Sequence, residues 1–167
     1  MSHKDPQEYT FEDVDGEEIS FRTTPFAAIK AYEMLPDVID LVGQPIVKVL
    51  GGVSNPQDID PDDVDVGSME IEMDSLGGAV EALSDFLRNR GDINWMLSLL
   101  KDTYVVKPDG EKDVCLGERA VFNKVFQADM LLMAKVVFKV IGINFGGSLG
   151  DKLGNGGKGL LSKFLNE

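Results

Sequence analysis

One histidine, His3, one cysteine, Cys115, three alternating aspartates, Asp58, Asp60 and Asp62, and three glycines, Gly154, Gly156 and Gly159, are the residues whose types or spacing could carry chemistry. A hydrolytic triad needs a histidine held against a nucleophile. His3 lies at a chain end, the worst place to hold one. Cys115 has no base near it in sequence and stands between Val114 and Leu116, the setting of a small packed hydrophobe rather than an activated thiolate. The three aspartates have the 1, 3, 5 spacing of a calcium loop, in which alternate carboxylates converge on one hard cation. Asp63 stands where the turn glycine belongs, Met69 where the bidentate glutamate belongs, and Pro61 interrupts the run, so a solvated acidic linker is the better reading. The glycines spell GxGxxG, yet no strand precedes them and no βαβ unit follows. Lys158 is followed by Gly159 rather than Ser or Thr, which removes a P-loop as well.

Carboxylates are too numerous for any pair to be singled out for acid–base work. Trp95 and the methionines Met130 and Met133 fall at helical positions where core or half-buried packing is the ordinary role. The residues therefore point to no catalytic group, no metal, no cofactor and no enzyme. The remaining classes are proteins that act by contact.

Charge distribution narrows those classes. The chain has 167 residues and a formal net charge of −13. Residues 1–118 hold 9 Lys+Arg against 26 Asp+Glu, a net of −17, and residues 119–167 hold 7 against 3, a net of +4. Phosphate contacts depend on Lys and Arg, so most of this surface would repel nucleic acid. The N-terminal MSHKDPQEYTFEDVDGEE is acidic and has no apolar core, so no signal or transit peptide is expected, and a single cysteine excludes an internal disulfide; both suit an intracellular protein.

The apolar mass lies in 120–145, AVFNKVFQADMLLMAKVVFKVIGINF, expected as one helix starting near Leu116 or Gly117. Lys124, Lys135 and Lys139 fall within about a sixth of a turn of each other on such a helix, and apolar residues fill most of the rest. The lysines interrupt the run well short of the roughly 20 apolar residues that a membrane span needs. The helix is then either a central core element or a docking surface, and local pattern leaves both open.

Ahead of it, YTFEDV and EEISFR flank Asp15-Gly16 and predict a hairpin over 9–22. Thr24-Pro25 predicts a helix start, Pro36 its end, and a second helix is expected to run to Gly51-Gly52 with a kink at Pro45. Residues 53–68 carry five aspartates and two prolines and are expected as an acidic linker. Helical spacing returns from Asp74 to Gly91, Asp92 is a candidate N-cap for the next helix, 103–106 has an extended pattern, and Pro108-Asp109-Gly110 is a turn. The glycine density of 147–167 predicts a flexible tail with a short amphipathic end at Leu160, Leu161, Phe164 and Leu165. The expected fold is mainly α: a single helical domain over 1–146 with an N-terminal β-hairpin, followed by that tail.

The order hairpin, FRTTPFAAIKAYEMLPDVIDLVG, helical middle, AVFNKVFQADMLLMAKVVFKVIGINFGG resembles the tail assembly chaperones of long-tailed bacteriophages over roughly 9–146. Phe122, Phe126 and Gln127-Ala128 before a hydrophobic helix closed by Asn144-Phe145 are the most recognisable part. The resemblance implies a small, mostly helical, non-enzymatic protein of the infected bacterial cytoplasm. Such proteins coat the hydrophobic tape measure protein before the tail tube polymerises and leave before the tail is finished. It also implies that a longer, frameshifted product often accompanies the short one. The acidic linker and glycine-rich tail have no counterpart in the resemblance.

The implied partner is the tape measure protein, with self-association or other tail proteins beside it, and neither nucleic acid nor membrane. The residues placed at a docking surface are Phe122, Phe126, Met130, Met133, Val137, Phe138, Ile141 and Phe145. Two alternatives stand beside this: a structural component of the tail or baseplate, resident in the virion, and an acidic adaptor with an unrelated partner. Phe138→Asp separates docking from core, because loss of binding in a folded variant marks a docking surface and loss of folding marks a core helix.

Overall fold

The computed structural model describes residues 5–51, 73–89 and 92–152, with side-chain packing over 5–41, 80–89 and 92–146. The sequence YTFE and ISFR alternates apolar and polar residues, and it forms the predicted hairpin of β1 (Gln7–Glu12) and β2 (Glu18–Thr23). The register pairs Tyr9 with Phe21 and Phe11 with Ile19, so the apolar groups share one face. Their rings form a cluster, with centroids 5.6 Å apart for Tyr9–Phe11 and 5.8 Å for Tyr9–Phe21. The turn differs from a two-residue loop. Asp13 N donates to Glu17 O, Gly16 N donates to Asp13 O, and Asp13 Oδ1 accepts from the amides of Asp15 and Glu17. Gly16 alone in this turn takes positive φ, at 81°.

The expectation of a mainly α fold is corrected by the sheet. Two further strands, β3 (Thr103–Val105) and β4 (Val114–Cys115), extend the hairpin into a four-stranded antiparallel sheet in the order β1-β2-β3-β4. With five helices beside it, the fold is α+β. The extended pattern over 103–106 becomes β3, and β4, at two residues, is too short to carry a period of its own; both pair because the open edge of β2 leaves backbone groups that must be satisfied. Phe21 faces Val105 and Thr23 faces Thr103 across that edge. On the outer face, Arg22 bridges Glu8 of β1 and Asp113 at the entry to β4.

The helices cover the apolar face. Helix α1 (Ala28–Gly51) begins three residues after Pro25, because Thr24 N donates to Asp102 O and Phe26 N to Asn144 Oδ1. It runs through both Pro36 and Pro45, where an end and a kink were expected. Pro36 is exposed, as is Tyr32 one turn earlier, so the carbonyl that the proline leaves unpaired faces water, while Met34, Val38 and Leu41 are buried on the other side. Helix α2 (Met73–Asn89) buries Leu83 and Phe86, and α3 (Ile93–Leu99) is capped as expected by Asp92, whose Oδ1 accepts from Trp95 N at 2.9 Å.

The expected long helix is two helices, α4 (Arg119–Phe126) and α5 (Met130–Lys152). Asp129 caps α5 through Leu132 N, at 2.9 Å. Helix α5 touches β1, α1, α2 and α4 and is the centre of the molecule. It continues to Lys152, past the expected start of the tail at 147, while the linker over 53–68 and the amphipathic end at 160–165 lie outside the described residues. No helix among the described residues is long and apolar enough to cross a membrane.

The turn between β4 and α4 packs tightly on the α3–β3 connection. A Cβ on Gly117 would stand 2.7 Å from Lys101 Cα and 3.0 Å from Leu97 O, both backbone atoms. Gly117→Ala is expected to lower stability by about 1–3 kcal/mol, read as a lower urea midpoint at unchanged slope. An unchanged midpoint would show that the turn can move away.

Candidate functional site

Seven of the eight expected docking residues, Phe122, Phe126, Met133, Val137, Phe138, Ile141 and Phe145, are buried within the chain. They belong to one continuous core with Phe21, Leu41, Leu83, Phe86 and Leu116. Phe122 and Phe126 meet edge to face at 4.9 Å, and Phe145 meets Phe26 in the same way at 6.0 Å. The Asn144-Phe145 ending has a structural use: Asn144 Oδ1 accepts from Phe26 N at 2.7 Å, and its Nδ2 donates to Val140 O, which ties the entry of α1 to α5. Met130 is the eighth residue, and it is 41% exposed.

The expected lysine stripe divides at the break between the two helices. Lys124 stays on α4 and is exposed, while the Lys135 and Lys139 ammonium groups lie 6.0 Å from the Phe11 ring and 5.7 Å from the Tyr9 ring. Lys139 is buried. Beneath it the Tyr9 hydroxyl bonds Thr23 Oγ1 at 2.8 Å, and Thr23 bonds Thr103 at 2.9 Å, a satisfied polar thread through the sheet. Burial pushes the Tyr9 hydroxyl well above its ordinary pKa, against the smaller opposing pull of the two threonines. The amide of Trp95 holds the Asp92 carboxyl below its ordinary value.

Among the described residues, those whose types could carry chemistry do not gather. Cys115 lies on the outer face of the sheet opposite Tyr104, and its thiol donates to Lys101 O at 3.2 Å. Trp95 packs on Phe86 at 4.7 Å, with its buried indole N–H unpaired among the described residues. His3, the aspartates at 58, 60 and 62, and the glycines at 154, 156 and 159 lie outside the described residues.

What does gather is the tip of the hairpin and the elbow between α4 and α5. Gln127 has φ 43° and ψ −115°, a conformation that suits glycine, and Asp129 N donates back to Phe126 O to close the turn. Asp129 then works twice. Its Oδ1 caps α5, and its Oδ2 accepts from Val14 N at 2.8 Å, fastening the hairpin tip to the start of the helix. Near this junction Val14 is 81% exposed, Met130 41% and Leu131 36%. Glu12, Asp15, Glu17 and Glu18 of the hairpin are exposed, Glu12 and Glu18 on the sheet face that also carries Arg22. Periodicity gave no sign of Val14 or Leu131 as surface groups. The aspartate before an apolar run, an N-cap signal, is what marks the break.

Phe138→Asp would put a carboxylate at the centre of this core, at a cost of roughly 3 kcal/mol or more. The chain is expected to lose its cooperative melting transition by circular dichroism, whereas Phe138→Leu is expected to stay folded. A folded Phe138→Asp variant would contradict the core placement.

A family model described as phage tail assembly chaperone protein, TAC, matches residues 16–157. No curated protein and no solved structure matches the chain.

Proposed function

We propose that this chain, which belongs to the phage tail assembly chaperone family, binds the tape measure protein in the infected bacterium and keeps its apolar helical stretches soluble until the tail tube forms. The observation that carries the reading is the extent of the family match, which runs from the hairpin turn past the end of α5. The role is one of binding and release, without catalysis.

Physical features support it. A holding protein must offer apolar contact while remaining soluble when loaded, and the net −17 over residues 1–118 supplies mutual repulsion between loaded complexes. Of the eight expected contact residues, Met130 is the one that a partner can touch with the fold intact, and the seven buried ones hold in place the helices that present it.

Coexpression with the tape measure protein of the same phage is the test. The tape measure protein is expected to move from the insoluble to the soluble fraction and to be recovered with this chain, and purified particles are expected to lack the chain. Stoichiometric presence in finished particles would favour the tail or baseplate component instead. An insoluble tape measure protein in the presence of folded chain would contradict the proposal.

A further inference from the structure

The four-stranded sheet ends in two unlike edges. β4 is two residues long, whereas β1 offers six, Gln7–Glu12. Bonds on either side of β2 fix the direction of the backbone groups on β1. Asp13 N donates to Glu17 O, so in the alternating ladder Tyr9 and Phe11 exchange bonds with β2, and Ser20 O is taken by Val106 N, so Ser20 and Arg22 turn to β3. The amides and carbonyls of Glu8, Thr10 and Glu12 therefore point away from β2, and no described residue bonds them. All three residues are exposed. This is an open strand edge.

Strand β2 shows what a neighbour of β1 supplies. Opposite Glu8 it sets Arg22, whose Nη1 lies 3.4 Å from the carboxylate, and opposite Thr10 it sets Ser20, with 2.9 Å between the hydroxyls. Opposite Tyr9 and Phe11, on the face that packs on α5, it sets Phe21 and Ile19. A strand added to the other edge meets the same side chains on the same two faces. Only Glu12 is poorly matched by β2, which opposes Glu18 to it. A second copy of this chain meets the edge badly, because the antiparallel pairing that overlaps all of Glu8–Glu12 sets Glu8 against Glu12 twice.

We infer that the open edge of β1 takes an extended peptide as a further strand, with Lys or Arg opposite Glu8 and Glu12 and apolar side chains beside Tyr9 and Phe11. Backbone bonds to Glu8, Thr10 and Glu12 carry the contact, and the two carboxylates select against acidic segments and against other copies of the chain. The inference goes beyond the chaperone reading, because it concerns an extended segment rather than a helical one. Either can fail while the other stands.

The probe is the peptide KISFRT, the β2 sequence with lysine in place of its glutamate, with EISFET as the acidic control, each titrated into the full chain and read by amide hydrogen exchange. In the free chain the amides of Tyr9 and Phe11 are expected to exchange slowly and those of Glu8, Thr10 and Glu12 fast. At saturation KISFRT is expected to slow the second set at least about tenfold, and EISFET to leave it unchanged. Thr10→Pro removes one outward amide and sets a ring over the edge, where strands tolerate proline. It is expected to abolish the protection with an unchanged circular dichroism spectrum. Glu12→Lys keeps the backbone intact and is expected to weaken binding of KISFRT several-fold. Absence of protection by KISFRT, or equal protection by EISFET, would overturn the inference. Protection that is already present in the concentrated free chain and is lost on dilution would overturn it in favour of a second copy. Faster exchange at Tyr9 and Phe11 on adding KISFRT would also overturn it, since the peptide would then be displacing β2 rather than adding to β1.

Discussion

Helix α5 carries apolar side chains around its whole circumference, and such a helix in water must be enclosed on every side. At 23 residues it is about 34 Å long, and a neighbour on one side leaves its other sides to be covered. The rest of the fold is the enclosure. The hairpin covers one side with Tyr9 and Phe11, α1 and α2 cover the opposite side with Val38, Leu41, Leu83 and Phe86, and α4 closes the N-terminal end with Phe122 and Phe126. Burying a side chain the size of Phe138 or Ile141 stabilises the fold by about 2–3 kcal/mol. A run of such residues along α5 therefore contributes a large share of the stability of the core.

The enclosure explains the elbow. A single straight helix over 116–145 would project Phe122 and Phe126 into solvent beyond the sheet. Breaking it after Phe126 folds α4 back onto α5, and the Gln127 conformation is the local cost, of order 1–3 kcal/mol. Asp129 offsets part of that cost by capping the new helix and by bonding the hairpin tip. The strain at Gln127 and the Val14 N–Asp129 bond that ties the hairpin tip to the start of α5 thus sit close together in the fold.

Much of this was legible in the residues, for identifiable reasons. The hairpin register follows from strict alternation in YTFE and ISFR, and α3 follows from Asp92 as a cap; both are local signals. The family was legible from the order of apolar segments around Phe122, Phe126 and Asn144-Phe145. The extended stretch at 103–106 was legible and forms β3, but its pairing with the edge of β2, some 80 residues away in sequence, and the two-residue β4 were not. Pro36 misled because a proline inside a helix is tolerated where the orphaned carbonyl meets water. The break at Gln127 was masked by helix-favouring residues on both sides, and tertiary packing overrode their propensity. Core and docking were indistinguishable in the pattern of 120–145 because burial by the chain itself and burial by a partner demand the same residues.

Helix α5 is thus a buried scaffold that organises the acidic hairpin and the elbow. Native-state amide hydrogen exchange on the free chain tests this most directly. The amides of Val136, Val137, Phe138, Val140 and Ile141 should be among the slowest to exchange, opening only with global unfolding. Exchange of these amides at the rate of exposed peptide groups would contradict the account, because it would mean that α5 is uncovered in the free protein and available as the docking surface itself.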